Sequence, residues 1–248
     1  MAGDNGGHAN TKDLMSQNHP VPSSSIHVLP LSDLHVEAAA RLYSEVFLED
    51  EPTSRRHALD LERFYPYACF YVQSLVNKGL SFLARDECSG EITGFIFCFD
   101  LVDDLELEGT EMTEFLMHFH QAVAMIDELE ARHFHRESII PGSVLHIFQI
   151  GVARKERGRG ITRALIRRAL THAKERKFIQ AVADCTTRSS KHTFERCGFS
   201  ERDFYSYESF SMNNVCFFSG IEGGIFLMVK DLHPAVERSM DPSEEAGI

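Results

Sequence analysis

The sequence predicts one α+β domain, a sheet of about seven strands with helices packed on it, set between two tails. Three observations carry this. Seven short runs concentrate β-branched and aromatic residues between turn signals, while four longer segments repeat apolar residues with helical period and a fifth, short one is closed by a glycine. The two kinds of segment are interleaved along the chain rather than separated into blocks. Neither an internal repeat nor a low-complexity linker divides residues 26–235, and a chain of 248 residues can bury a substantial core as one domain.

Residues 1–25 are rich in Gly, Asn, Ser, His and Pro and carry too little apolar content to pack, so a disordered N-terminal tail is expected there. Residues 236–248 are expected to form a flexible C-terminal tail. Ile26 to Pro30 reads as a first short strand. Ser32 or Asp33 suits a helix N-cap, and the helix runs through Ala38-Ala39-Ala40 to Phe47 with Leu34, Ala38, Leu42 and Val46 on one face. Pro52 ends the acidic loop that follows, and a further helical segment lies between Arg55 and Asn77. Leu80 to Arg85 and Ile92 to Leu101 read as two strands of a hairpin joined by a glycine-containing turn.

Thr113 to Phe134 has helical period in Phe115, Phe119, Val123, Ile126 and Leu129. Pro141-Gly142 breaks the chain before a buried strand from Ser143 to Val152. The helix from Ile161 to Arg176 should turn Ile161, Leu165, Ile166, Ala169, Leu170 and Ala173 inward. Ile179 to Asp184 is a strand, and Ser189 to Arg196 a short helix closed by Gly198. Asp203 to Phe210 and Gly224 to Lys230 give the last two strands.

Composition narrows the function. A net charge of −12 argues against general binding to nucleic acid or an anionic membrane. No run approaches 18 apolar residues, and the N-terminus lacks a signal-peptide pattern, so a cytoplasmic location is expected. The cysteines at 69, 88, 98, 185, 197 and 216 show neither metal-ligand nor redox spacing and read as reduced thiols. His118 with His120 and His133 with His135 invite a metal reading, but residues two apart diverge on a helix and no H-E-x-x-H is present. No metal is expected.

Charge is unevenly spread: Gly151 to Lys177 holds ten Lys/Arg against two Asp/Glu, a net of +8, which leaves −20 for the rest. Inside it, Arg157-Gly158-Arg159-Gly160-Ile161-Thr162 joins a strand to a helix. Such a junction binds phosphates, because the first helical N–H groups lack partners and the dipole favours an anion. Gly158 and Gly160 allow a tight turn and close approach, and Arg157 and Arg159 add charge. A Walker-type loop, G-x-x-x-x-G-K-[ST], is absent. The dinucleotide fingerprint fails because its third glycine position holds Arg163. By itself the loop is also compatible with a glycine turn capping a solvated basic helix.

The segment resembles the [QR]-x-x-G-x-[GA] pattern of the GNAT superfamily of N-acetyltransferases, with Thr162 in place of the usual small residue. The element order over residues 26–232 is similar, as is Thr193-Phe194-Glu195-Arg196-Cys197-Gly198-Phe199 to that family's "YEKxGF" segment. The resemblance implies a three-layer fold around a mixed, mostly antiparallel sheet, and acetyl-CoA as co-substrate. It assigns the cofactor's pyrophosphate to Arg157, Gly158, Arg159, Gly160, Ile161 and Thr162, and its pantetheine arm to the backbone of Ile150, Gly151 and Val152. The implied reaction is acetyl transfer to the primary amine of a small molecule by direct attack through a tetrahedral intermediate.

Phe47-Leu48-Glu49-Asp50-Glu51-Pro52 and Cys185-Thr186-Thr187-Arg188-Ser189-Ser190 look like segments of the insect arylalkylamine (dopamine) N-acetyltransferases. That resemblance implies a catalytic glutamate at Glu51 and catalytic hydroxyls at Thr186 and Ser190. Many superfamily members use a tyrosine as general acid where this chain has Phe194, which cannot donate. Tyr205 or Tyr207 could substitute, and His146 or His192 could relay protons. Glu51 also reads as a solvated loop acid, and Ser189 or Ser190 as a helix N-cap. Cys185 and Cys197 have no evident base partner. Glu49, Asp50 and Glu51 would draw a cationic amine, and Phe64, Tyr65, Tyr67, Phe70 and Tyr71 either line the acceptor cleft or form core. A non-catalytic acyl-CoA-binding module and a protein lysine or N-terminal acetyltransferase remain open, as do monomer and homodimer.

Overall fold

The computed structural model describes residues 25–57, 60–103 and 110–232. Apart from Ser25, the two expected tails lie outside the described residues, as does the side chain of Phe115. Seven strands form one sheet: β1 (Ile26–Pro30), β2 (Phe82–Asp86), β3 (Ile92–Asp100), β4 (Val144–Val152), β5 (Gln180–Cys185), β6 (Ser200–Ser206) and β7 (Gly224–Asp231). Their order is β1-β2-β3-β4-β5-β7-β6, and every pairing is antiparallel except β4 with β5.

Helices cover both faces. On one side lie α5 (Ile161–Glu175) and α6 (Arg188–Arg196); on the other, α1 (Val36–Asp50), the short α2 (Ser54–His57), α3 (Leu61–Val76) and α4 (Thr110–Ala131). Strand β3 shows why its sequence reads as a continuous apolar run. Phe95, Phe97 and Phe99 pack toward α1 and α3, while Ile96 and Cys98 pack toward α5. Both faces are therefore buried. The inward face expected for α5 is the one buried, residue for residue. No described helix is long and apolar enough to cross a membrane.

Three local expectations are corrected. A 3-10 turn at Asp33–His35 precedes α1, and its tighter winding shifts the phase of the buried stripe. Leu34 is 93% exposed and Ala38 is exposed, while Val36, Ala39, Ala40, Leu42 and Tyr43 are buried. The segment from Arg55 to Asn77 is two helices, because Asp60 caps the second by accepting Arg63 N–H at 2.9 Å. Strand β6 ends at Ser206, after which Tyr207–Ser209 makes a 3-10 turn that places Tyr207 in a cluster with Phe210 and Phe218.

One feature of the sheet creates the cleft. The parallel ladder between β4 and β5 runs only from Val144 opposite Gln180 to Ile147 opposite Ala183. Beyond that point β4 pairs with β3 alone, and Phe148 is an extra residue between the pairs Cys98–Ile147 and Phe97–Gln149. A bulge bends and twists its strand. The two central strands part at Phe148, and the loops after each of them face the gap.

Candidate active site

The gap between the parted strands is a cleft of about 540 Å³, bordered by the ends of α1, β4 and β5 and the starts of α5 and α6. At one end lies the glycine loop. Arg154–Glu156 forms a 3-10 turn, then Gly158 and Gly160 take φ of 82° and 77°. These left-handed torsions are what glycine supplies here, since a Cβ on either residue would meet nothing within 4 Å. Gly160 is the N-cap of α5, and the first helical bond runs from Ala164 N–H to Gly160 O at 3.1 Å. The N–H groups of Ile161, Thr162 and Arg163 precede that bond and have no helical acceptor. Thr162 borders the cleft, whereas the Ile161 side chain is buried in the core against Gly94.

The basic island is locally neutralised. Arg154 pairs with Glu49, Lys155 with Glu91 at 2.6 Å, and Arg159 with Glu156 and with Asp86 at 3.6 Å. Arg157 forks onto both Asp50 oxygens and donates through Nε to Val152 O at 3.3 Å. Exposed pairs of this kind contribute little stability, because solvent screens them and both side chains lose freedom. Their effect is positional: Glu49 and Asp50, expected as a lure for the amine, are engaged by Arg154 and Arg157 and tether the end of α1 to the glycine loop.

Along the wall, Ile150, Gly151 and Val152 pair with Ile96, Phe95 and Gly94 of β3, and their other edge borders the cleft because β5 has diverged. Gly151 is required by packing: its Cβ would fall 2.5 Å from Phe95 Cζ and 2.8 Å from Val46 Cγ1.

Glu51 closes α1, its N–H donating to Phe47 O at 3.1 Å. Its carboxylate accepts from Thr186 Oγ1 at 2.7 Å through one oxygen, and from Thr53 N–H at 3.3 Å and Thr53 Oγ1 at 3.1 Å through the other. Burial raises the Glu51 pKa above the ordinary glutamate value, and these hydrogen bonds partly offset the rise. The fold thus joins Glu51 to Thr186, 135 positions away, across the mouth of the cleft.

Ser190 also borders the cleft, yet its hydroxyl is engaged within α6. Thr187 is the N-cap, and the two residues form a capping box in which Thr187 Oγ1 accepts Ser190 N–H at 3.1 Å and Ser190 Oγ accepts Thr187 N–H at 3.3 Å. Ser190 Oγ also lies 2.9 Å from Thr187 O, to which it donates. The cap expected at Ser189 or Ser190 is therefore Thr187. Phe194 is buried edge-on to Phe199 at 5.0 Å and adds an apolar patch. Cys185 lies beside Ser190, its thiol pushed far up by burial.

The remaining candidates divide. Tyr207 is fully buried and donates to Thr186 O at 3.3 Å, so it supports the strand end that carries Thr186; burial, with the Glu51 carboxylate adding to it, raises its pKa. Tyr205 turns to the surface, donating to Glu128 at 3.1 Å with Arg132 over its ring. His192 is exposed beside Glu195. His146 lies buried beneath the sheet's parting point, with Asp184 at 2.7 Å. Of the α3 aromatics, Phe64, Tyr67 and Tyr71 are core. The rings at the cleft, besides Phe194 of α6, are instead Tyr43, Phe47, Phe95 and Phe148, from α1, β3 and β4. Sequence reasoning missed Thr53, Asp50 as the partner of Arg157, and Asp184. For the last there was a signal, an acid inside the otherwise apolar strand Ala181-Val182-Ala183-Asp184-Cys185.

Residues 37–199 match the model of the acetyltransferase (GNAT) family. No curated protein sequence matches the chain. Among solved structures, the chain is similar to the C-terminal condensation domain of Ebony in complex with beta-alanyl-dopamine, with 14% identity and a TM-score of 0.71 over 84% of this chain and 99% of that one. Arylalkylamine N-acetyltransferase 2 from Aedes aegypti aligns at 16% identity and a TM-score of 0.70, over the same shares of the two chains. The polyamine N-acetyltransferase of Drosophila melanogaster aligns at 16% identity and a TM-score of 0.65, over 84% of this chain and 100% of that one. At these identities the likeness establishes the fold.

Proposed function

Because the chain belongs to the acetyltransferase (GNAT) family and is therefore an acyltransferase, we propose that it transfers an acetyl group from acetyl-CoA to the primary amine of a small molecule. The cleft fits the cofactor on two counts. The start of α5 presents N–H groups without helical acceptors, beside two glycines whose Cβ positions are open. The wall at Ile150, Gly151 and Val152 offers a strand edge that β5 does not pair, on which an extended amide-bearing arm can pair. Gly158, Gly160, Ile161 and Thr162 would hold the pyrophosphate through backbone, and Arg157 and Arg159 would add charge by exchanging carboxylate for phosphate. Bound there, the thioester supplies an acyl carbon activated toward nucleophiles.

The observation that carries the reading is the Glu51 carboxylate, held by three hydrogen bonds at the cleft with its pKa raised by burial. A typical amine, with pKa near about 10, is protonated at neutral pH and must lose that proton to attack. Glu51 takes it, directly or through water, and a raised pKa makes the carboxylate a better base. Thr186 acts through Glu51 as a positioning residue. Ser190 reaches the cleft with a hydroxyl that donates to Thr187 O; turned from that bond, it would pass its proton to the leaving thiolate and regain one from the attacking nitrogen through water. Tyr43, Phe47 and Phe148 give the acceptor side an aromatic lining suited to a small amine with an apolar body.

The test is release of free thiol from acetyl-CoA over arylalkyl, alkyl and polyamine acceptors, with the acetylated product identified by mass. Turnover on at least one class supports the proposal. Silence across the panel with CoA binding retained would replace it by the non-catalytic acyl-CoA-binding module, for which Phe194 at the usual acid position speaks. Acetylation confined to peptide lysines or N-termini would replace it by the protein-modifying reading.

A further inference from the structure

Three residues that sequence spacing could not connect meet beneath the parting point of the sheet: Glu130 on α4, His146 on β4 and Asp184 on β5. Their side chains are 5%, 1% and 2% exposed. His146 Nε2 lies 2.7 Å from Asp184 Oδ2 and 3.4 Å from Glu130 Oε1. One nitrogen or oxygen from each residue falls within 4.8 Å of the other two. Glu130 Oε1 and Asp184 Oδ1 are buried without a hydrogen-bond partner. Phe99 and Phe148 enclose the imidazole, with ring centroids at 4.9 Å and 5.3 Å.

The local charge is unbalanced. Asp127, also on α4, is near enough for its carboxyl to interact with Asp184 and His146. Three carboxyl groups thus face one guanidinium, that of Arg136, which reaches Glu130 Oε2 at 3.3 Å and is itself half exposed. Burying Glu130 and Asp184 together, with a half-exposed guanidinium on one and an imidazole on the other, is costly. A dication held by a neutral imidazole and two carboxylates would remove the imbalance.

We propose that Glu130, His146 and Asp184 form a binding site for a divalent transition-metal ion of the zinc class, which ties α4 to the two central strands where they part. The donor set is one imidazole nitrogen and carboxylate oxygens. It suits zinc and its neighbours better than magnesium, which demands six oxygens, or copper(I), which prefers sulfur. Tetrahedral ligands about 2.0–2.2 Å from zinc stand roughly 3.4 Å apart. The His146–Glu130 separation already meets this, and the His146–Asp184 separation must open from 2.7 Å by about 0.7 Å. The last parallel pair is Ile147 with Ala183, so His146 lies one residue before the parting and Asp184 one residue beyond it. An ion there fixes the angle of the wedge in which the acetyl-transfer cleft lies. It touches neither Glu51 nor the glycine loop, so the site stands or falls independently of the transfer reaction.

The test uses the full chain, freed of metal with a chelator and titrated with zinc against a competing chromophoric chelator. Metal content after gel filtration and the unfolding temperature are read in parallel. The expected result is one zinc per chain with a rise in unfolding temperature. Glu130→Gln and His146→Gln should each bind at least about tenfold more weakly and lose the rise. Should His146→Gln fail to fold, Glu130→Gln and the visible spectrum of the cobalt(II)-loaded wild type decide. An intense tetrahedral band supports the site, and its absence overturns it. Zinc uptake unchanged in both variants would mean surface histidines only and overturn the proposal. So would failure of the wild type to retain zinc, leaving a proton shared between the two carboxyls.

Discussion

Thr186→Val removes the hydroxyl that donates to Glu51 Oε2 at 2.7 Å and keeps the shape of the side chain. That bond favours the charged carboxylate, so losing it favours the protonated form and raises the Glu51 pKa further above the ordinary glutamate value. A hydrogen bond to a charged group contributes about 1.5–3 kcal/mol, and the Thr53 pair remains in place. Water from the cleft can replace part of the interaction, so the lower end applies, about tenfold in the proton-dissociation constant of Glu51. The assay is the pH dependence of kcat/KM for acetyl transfer. Its acidic limb, which reports the base in the free enzyme, should move to higher pH in Thr186→Val and return in Thr186→Ser. An acidic limb that stays in place, or moves to lower pH, would refute the assignment of Glu51 as the base held by Thr186.

Four further outcomes are expected. Glu51→Gln should lower turnover at neutral pH by about 10²–10⁴-fold, the range for losing a general base, with CoA affinity unchanged by calorimetry. Gly160→Asp should fold, since a Cβ there meets nothing within 4 Å and the left-handed φ of 77° costs an aspartate only about 1–2 kcal/mol. It should lose CoA binding in a titration, because a carboxylate then occupies the positive end of α5. Gly151→Ala forces a methyl against Phe95 and Val46 and should cost about 1–3 kcal/mol by urea unfolding, more than Gly158→Ala, where only the φ of 82° resists. His57 is buried against Phe119 and beside His118, and burial first, then His118, lowers its pKa to about 4. The unfolded chain therefore binds more protons between pH about 6.5 and about 4, and stability falls by up to about 3 kcal/mol as pH drops through that window. His57→Gln should flatten the difference in unfolding free energy between neutral and mildly acidic pH.

The residues that were legible in the sequence are those whose behaviour is settled within a few neighbours. Helix α5 was readable because one amphipathic period and one glycine N-terminus specify it, and nothing tertiary competes. The hairpin of β2 and β3 was readable from its turn. The face of α1 was not, because three residues of 3-10 helix ahead of it change the phase of the stripe. The cap of α6 was ambiguous among neighbouring hydroxyl residues of similar capping preference, and only the observed reciprocal bonds assign it to Thr187.

The site divides along the same line. By itself the sequence determined that a glycine loop opens a helix after a buried strand and that its charge stands apart from an acidic chain, while its resemblance to the insect acetyltransferases made Glu51, Thr186 and Ser190 candidates. Torsions, charge and residue type are local properties, and they are written in order along the chain. Tertiary structure alone decided that Arg154 and Arg157 of the loop are paired with the end of α1, that Thr186 rather than Ser190 holds Glu51, and that Glu130, His146 and Asp184 share one buried pocket. Each of these depends on where the β4–β5 ladder stops and how the helices seat against it. That register results from packing both faces of the sheet together, and no window of neighbouring residues contains it.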